Sequence, residues 1–404
     1  MSNVNLKNAY CRAYQGVMRQ AVKILDWTEP QILRGSGAVK KLPELIKKDG
    51  FNNVLVVTDK GLMNIHLPDG FLKELESAGI HYTVYDGVCP NPTIDNIEEA
   101  RNLYASNGCQ AVVAFGGGSP MDCAKTCAAR IVCPNKSCNQ MAGTLTIRKK
   151  LPKLYAVPTT AGTGSETTIA AVVTDPTTHA KYAIMDPALR PKVAVLDAEL
   201  TVGLPPHITS TTGMDALTHA VEAYIGLSNT PQTRDAALKA TKLIYDNIMT
   251  AYTDGKNIEA RQNMLDASYL AGIAFTRAYV GYVHAIAHSL GGMYGTPHGL
   301  ANAVVLPYVL EFYGSSAYVA LGELADAAGL DTAGLSRREK AELFIDSIKK
   351  LNSDMNIPNK IEALKESDIE LLSTRACKEG NPQYPVPRII TQPECADIYR
   401  KLLV

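Results

Sequence analysis

The sequence predicts an α/β domain built on a parallel sheet, followed by an all-helical domain, with the active site in the cleft between them. Three observations carry this. Short β-branched runs alternate with helical patterns from about Asn52 to Asp197, such runs stop after Pro205-Pro206, and the long segments beyond repeat apolar residues every three or four positions. The expected domains are 1–205, including an N-terminal helical extension at 1–26, and 206–404. A chain of 404 residues, 46% of them hydrophobic, is long enough to bury two cores.

Taken in order, Tyr10 to Leu25 reads as an amphipathic helix ahead of the first strand. Val54 to Thr58, Tyr82 to Tyr85, Ala111 to Phe115, Leu154 to Val157 and Val193 to Asp197 are strands. Their apolar runs are nearly continuous, as strands covered on both faces require. Past the proline pair, Asp235 to Tyr252, Ile258 to Phe275 and Arg337 to Leu351 carry the helical period, and Gly291-Gly292 is expected to end a helix that begins near His284.

Forty basic residues balance forty acidic ones. No net field therefore favours nucleic acid, an anionic membrane or a strongly charged substrate, and small molecules are the expected partners. Nine cysteines, an odd number scattered along a long chain, read as reduced thiols rather than a disulfide framework. Met1 to Ile24 holds Lys and Arg among its apolar residues and never forms the unbroken apolar run of a signal or membrane span, so a cytoplasmic location is expected. There is no internal repeat and no low-complexity tract.

Phe115-Gly116-Gly117-Gly118-Ser119-Pro120-Met121-Asp122 follows a strand and opens a helix, which lets bare N–H groups and a helix N-terminus face a phosphate. A second glycine- and hydroxyl-rich loop, Pro158 to Glu166, follows another strand, and two such loops in one α/β domain favour a dinucleotide. Asp59, directly after Val54 to Thr58, suits a ribose hydroxyl and repels a phosphate there; it suits a helix N-cap equally well.

Asp215 and His219 stand at i and i+4, as do His284 and His288, and His298 follows closely. A carboxylate and an imidazole one turn apart can reach one cation, and this donor set fits Fe²⁺ or Zn²⁺ acting as a Lewis acid. Spacing alone leaves open which three histidines bind, although it favours His284 and His288 together. There is no Gly-x-Ser-x-Gly elbow, no Walker loop and no paired C-x-x-C; the cluster Cys123, Cys127, Cys133 and Cys138 reads as small apolar packing rather than an iron–sulfur or zinc-ribbon site.

Several motifs now stand in order: Val57-Thr58-Asp59-Lys60, Pro90-Asn91-Pro92-Thr93, Gly116 to Asp122, Pro158 to Glu166, Asp215 to Glu222, and His284 to Gly299. From about Trp27 onward the chain resembles the iron-containing (group III) alcohol dehydrogenases. The resemblance implies an NAD(H)-dependent enzyme interconverting a short primary alcohol or diol and its aldehyde. One divalent metal, usually Fe²⁺ with Zn²⁺ or Mn²⁺ also acceptable, would be held by Asp215, His219, His284 and His298. It puts His288 outside the ligand set, near nicotinamide and substrate; standing one turn from His284, His288 is then the candidate relay for the alcohol proton, with a simple packed histidine as the alternative.

By the same resemblance Gly116, Gly117, Gly118, Ser119 and the Asp122 that closes their motif belong to the cofactor site, with Asn91, Thr159, Thr160 and Lys181. Asp59 then selects NAD(H) over NADP(H). A homodimer or higher homo-oligomer is expected. Two departures touch specificity and assembly: the N-terminal stretch of about two dozen residues, and Ala170-Ala171 where some relatives carry bulkier or polar residues near substrate. The rival readings are a glycerol-dehydrogenase-like polyol enzyme, a dehydroquinate-synthase-like lyase, and a non-catalytic metal- or nucleotide-binding sensor.

Overall fold

The structure is a computed structural model that describes residues 2–21, 25–177 and 181–404. The chain divides into two compact units: Asp26–Leu204 with Lys256–Leu265, and Met1–Leu25 with Pro205–Gly255 and Asp266–Val404.

The first unit contains the strands β1 (Gln31–Arg34), β2 (Asn53–Val57), β3 (His81–Tyr85), β4 (Ala111–Gly116), β5 (Gly143–Thr144), β6 (Lys153–Pro158), β7 (Ala170–Thr174), β8 (Lys181–Met185) and β9 (Val193–Leu196). Six of them form one parallel sheet in the order β1-β9-β6-β4-β2-β3. Side chains alternate between its two faces. Leu55, Val57, Val112, Ala114 and Ala156 pack with Ile97, Cys123 and Cys127 of the helices α5 (Ile94–Ser106) and α6 (Gly118–Val132). Val54, Val56, Val113, Phe115 and Val157 pack on the other side with Leu42 and Ile46 of α2 (Leu42–Lys48) and with Phe71 and Leu75 of α4 (Asp69–Ser77). Burial of both faces is why these strands read as unbroken apolar runs. The sequence reading missed β1 and a second, three-stranded sheet β5-β8-β7, in which β7 and β8 run antiparallel.

The second unit is helical. It comprises α1 (Ser2–Ala21), α7 (Pro206–Ile225), α8 (Pro231–Thr253), the part of α9 (Ile258–Ala278) from Asp266 on, α10 (Tyr282–Tyr294), α11 (His298–Tyr313), α12 (Tyr318–Ala327), α13 (Arg337–Asp354), α14 (Ile369–Gly380) and α15 (Gln392–Leu402). α1 was expected from Tyr10 to Leu25 as an appendage of the α/β domain. It starts at Ser2, ends at Ala21, and groups with the helices; residues 22–24 of the expected helix lie outside the described residues.

α10 does not end at Gly291-Gly292. It runs on to Tyr294 and stops at Gly295, whose φ of 68° is the left-handed C-cap. Among the described residues no helix is long and apolar enough to cross a membrane. All nine cysteines are free thiols.

Candidate active site

In the α/β unit the expected nucleotide residues gather at the C-terminal ends of the neighbouring strands β2, β4 and β6, the edge at which open parallel sheets bind ligands. β4 runs into Gly116, which adopts φ 151°; a Cβ there would lie 2.5 Å from Pro120 Cγ. Gly117 caps α6, so Gly118 and Ser119 occupy the first turn of a 15-residue helix, whose N–H groups and dipole favour an anion. Thr159 N donates to Gly116 O (3.1 Å), joining the loop after β6 to the loop after β4.

Asn91 N donates to Ser119 Oγ (3.2 Å) and Lys181 Nζ to Asn91 Oδ1 (2.9 Å). Three segments distant in sequence thereby meet at the first turn of α6, and burial lowers the Lys181 ammonium pKa. Asp59 caps the short helix α3 (Lys60–Asn64): its Oδ1 accepts from Leu62 N at 3.0 Å.

Asp122, also expected at the cofactor site, lies on α6 just after the glycine turn. Its oxygens accept from Val172 N (3.1 Å) and Ser165 Oγ (3.3 Å), and burial pushes the carboxyl up to about 6. It thereby ties the start of α6 to the second loop and to β7. Lys125, one turn further along α6, donates to Ser165 Oγ, Thr168 Oγ1 and Ala170 O within 2.9 Å, and burial pulls it down to about 8. Glu166, 2% exposed, is pushed by burial up to about 7. The sequence reading passed over Lys125 and Glu166; a charged residue on the apolar face of α6 was the available signal.

In the helical unit α7 is buried along most of its length, and Asp215, His219 and Glu222 fall at i, i+4 and i+7 on one face. α10 brings His284, and α11 begins with His298. α11 approaches α7 closely because residue 299 is glycine: a Cβ there would lie 2.5 Å from Thr211 O. Asp215, His219, His284 and His298 consequently offer ligand atoms that all lie within 4.8 Å of one another. Phe275 stacks on the His219 ring at 4.1 Å, and His219 on His284 at 4.5 Å.

The amide Nδ2 of Asn302, one turn after His298, sits 2.6 Å from Asp215 Oδ1, 3.2 Å from His284 Nε2 and 3.1 Å from His298 Nε2. One NH₂ has two protons and cannot saturate three converging lone pairs. This is the electrostatic demand that a cation meets, so the donor set fits a divalent metal.

The buried Glu222 orients the set. Oε2 accepts from Gly281 N (2.8 Å) and lies 2.6 Å from His284 Nδ1, while Oε1 accepts from Val283 N (2.8 Å). With Nδ1–H turned to Glu222, Nε2 is the nitrogen offered at the cluster. Burial pushes Glu222 up to about 8, against the downward pull of the main-chain N–H groups. Burial, reinforced by the neighbouring imidazoles, holds His284 well below its ordinary range, as a neutral ligand requires.

His288 is not in the cluster. Its Nδ1 lies 2.7 Å from Glu379 Oε1, which also accepts from Tyr384 OH at 2.7 Å, and its ring stacks on His298 at 5.2 Å. The pairing of His284 with His288 that spacing favoured is therefore replaced by His284 with Asp215, His219 and His298. Glu222 and Asn302 were findable from their helical spacing; Glu379 and Tyr384, about ninety residues from His288, had no local signal.

A family model described as iron-containing alcohol dehydrogenase matches residues 29–198, and one described as the C-terminal part of the Fe-containing alcohol dehydrogenase family matches residues 209–403. The chain is 40% identical over 384 residues to a 1,3-propanediol dehydrogenase of Citrobacter freundii, covering 94% of this chain and 99% of that protein. It is 36% identical to an NAD-dependent methanol dehydrogenase of Bacillus methanolicus, over 93% of this chain and 98% of that one. A crystal structure of 1,3-propanediol oxidoreductase superposes with a TM-score of 0.90 at 38% identity, covering 94% of this chain and all of that one.

Proposed function

This chain belongs to the iron-containing alcohol dehydrogenase family, and from that membership we propose that it interconverts a short primary alcohol or diol and its aldehyde, using NAD(H) and one divalent metal. The convergence of Asp215, His219, His284 and His298 within 4.8 Å carries the reading. Iron is the first candidate from the family's description, while the Asp–His₃ set also accepts zinc or manganese.

When bound, the metal supplies Lewis acidity toward the substrate oxygen, and the nicotinamide supplies the hydride acceptor or donor. Asp215, His219, His284 and His298 hold the cation, with Glu222 keeping Nδ1 of His284 protonated so that Nε2 ligates. Gly116 to Ser119 present the first turn of α6 to the pyrophosphate, and Thr159, Thr160, Asn91 and Lys181 complete that wall. Asp59 disfavours a 2′-phosphate by charge, which supports NAD(H) over NADP(H). His288, backed by Glu379, accepts the alcohol's proton and passes it to water. The similarity to dehydrogenases of propanediol and methanol supports a short substrate.

Anaerobic purification, elemental analysis and NADH absorbance with a panel of short aldehydes, before and after chelation, test this. Turnover that is lost on chelation and restored by Fe²⁺ is expected. NADH binding without oxidation by any aldehyde would point to the sensor instead.

A further inference from the structure

α1 lies ahead of residue 29, where the match to the family begins, yet it is joined to the surroundings of His288. Its inner face carries Cys11, 1% exposed, and Gln15, 6% exposed. Arg12 donates from Nη1 to Val386 O (2.7 Å) and from Nη2 to Pro387 O (2.9 Å). Gln15 Nε2 donates to Tyr384 O (2.7 Å) and Pro382 O (3.2 Å), and Arg12 Nη1 also donates to Gln15 Oε1 (2.9 Å), which aligns the pair. All four carbonyls belong to the irregular segment between α14 and α15. Prolines at 382, 385 and 387 remove three N–H donors from it and bar a ladder of its own.

The same segment carries the Tyr384 phenol, which donates to the Glu379 oxygen that meets His288 Nδ1, both at 2.7 Å. Glu379 ends a side chain with three rotatable torsions, and a second donor on the same oxygen narrows its choice of rotamer. A carboxylate fixed against Nδ1 makes that nitrogen the donor and Nε2 the proton acceptor.

We propose that α1 is a positioning strap for His288: by clamping the carbonyls of residues 382–387 it seats the Tyr384 phenol on Glu379 and so fixes the imidazole's orientation and tautomer. The catalytic consequence rests on the relay role proposed for His288; the structural link does not.

The test uses the full-length protein with Arg12→Ala/Gln15→Ala, Tyr384→Phe and their combination. Long-range ¹H–¹⁵N spectra of metal-free, ¹⁵N-histidine-labelled protein, with His288 assigned through His288→Ala, report which ring nitrogen holds the proton. NADH-dependent kinetics, metal content and Tm are measured beside them. Expected are an Nδ1–H tautomer in the parent, mixed tautomers in each variant, roughly tenfold lower kcat with KM and metal content held, and no further loss on combination because both changes cut one linkage.

An unchanged His288 signal and kcat in Arg12→Ala/Gln15→Ala, with only Tm lowered, would overturn the strap, as would losses that multiply. Should that double variant not fold, Gln15→Leu keeps both Arg12 bonds to the segment and is expected to give the same spectral change; an unchanged spectrum would reject the proposal. A parent protein with no turnover would remove the dehydrogenase reading, while the tautomer comparison would still decide the strap.

Discussion

Replacing Glu222 by Gln tests whether the carboxylate behind His284 sets the metal affinity. Three N–H donors, from Gly281, Val283 and His284 Nδ1, converge on its two oxygens at 2.6–2.8 Å. A glutamine of the same shape has one oxygen and one NH₂, so at least one donor then faces another donor. If the amide oxygen stays with Gly281 and His284, Val283 N–H is orphaned in the core, at about 1–3 kcal/mol. If the amide turns the other way, His284 must move its proton to Nε2, the nitrogen 3.9 Å from Asp215 Oδ1 that the cluster needs bare.

Either arrangement also disturbs the acceptor that holds His284 in its ligating tautomer, and losses of this kind run to about 10–100-fold in metal affinity, or about 1.4–2.7 kcal/mol. Competition for Zn²⁺ against a chromophoric chelator reads the affinity directly, with NADH binding as a control that should not move. A zinc affinity within about threefold of the parent protein would refute the reasoning.

Three further outcomes are expected. Asp59→Ala removes a charge and the cap on Leu62 N, so the NADPH/NADH ratio of kcat/KM should rise at least about tenfold while stability falls by about 1 kcal/mol. An unchanged ratio would dissociate Asp59 from cofactor choice. Gly299→Ala drives a methyl to within 2.5 Å of Thr211 O, which should separate α11 from α7, cost about 1–3 kcal/mol and lower metal content by elemental analysis. Glu166, raised from 4.5 to about 7, is an acid whose folded-state pKa exceeds its unfolded one. Its contribution is fully present below pH 4.5 and is lost as pH rises through about 7, an effect on the order of 3 kcal/mol. Glu166→Gln should flatten denaturant stability between pH 5 and 8, and a pH dependence identical to the parent's would remove Glu166 as its source.

What was legible in the sequence was what burial writes into local pattern. β2, β4 and β9 declared themselves because both faces of the sheet are covered, and α8, α9 and α13 through their apolar stripes. β7 and β8 did not, because each mixes buried with half-exposed positions. Gly291-Gly292 looked like a stop, but only Gly295 takes the positive φ that ends α10; the packed helix absorbs the two earlier glycines at about 1 kcal/mol each. The four residues of the cluster were named from family motifs, whereas spacing alone had paired His284 with His288. Periodicity records which residues share a helix face, but which face meets another helix depends on approaches such as Gly299 against Thr211.

The donors of the cluster come from α7, α10 and α11, all within the helical unit. A cation there would be a cross-link as well as a reagent, fastening three helices across the long stretch of chain from Asp215 to His298 and penalising the unfolded state, which has no such convergence. Ligation confined to the folded state adds about 4 kcal/mol when free metal stands a thousandfold above its dissociation constant. Heat resistance would then depend on metal supply, and a melting curve would serve as a gauge of how full the site is.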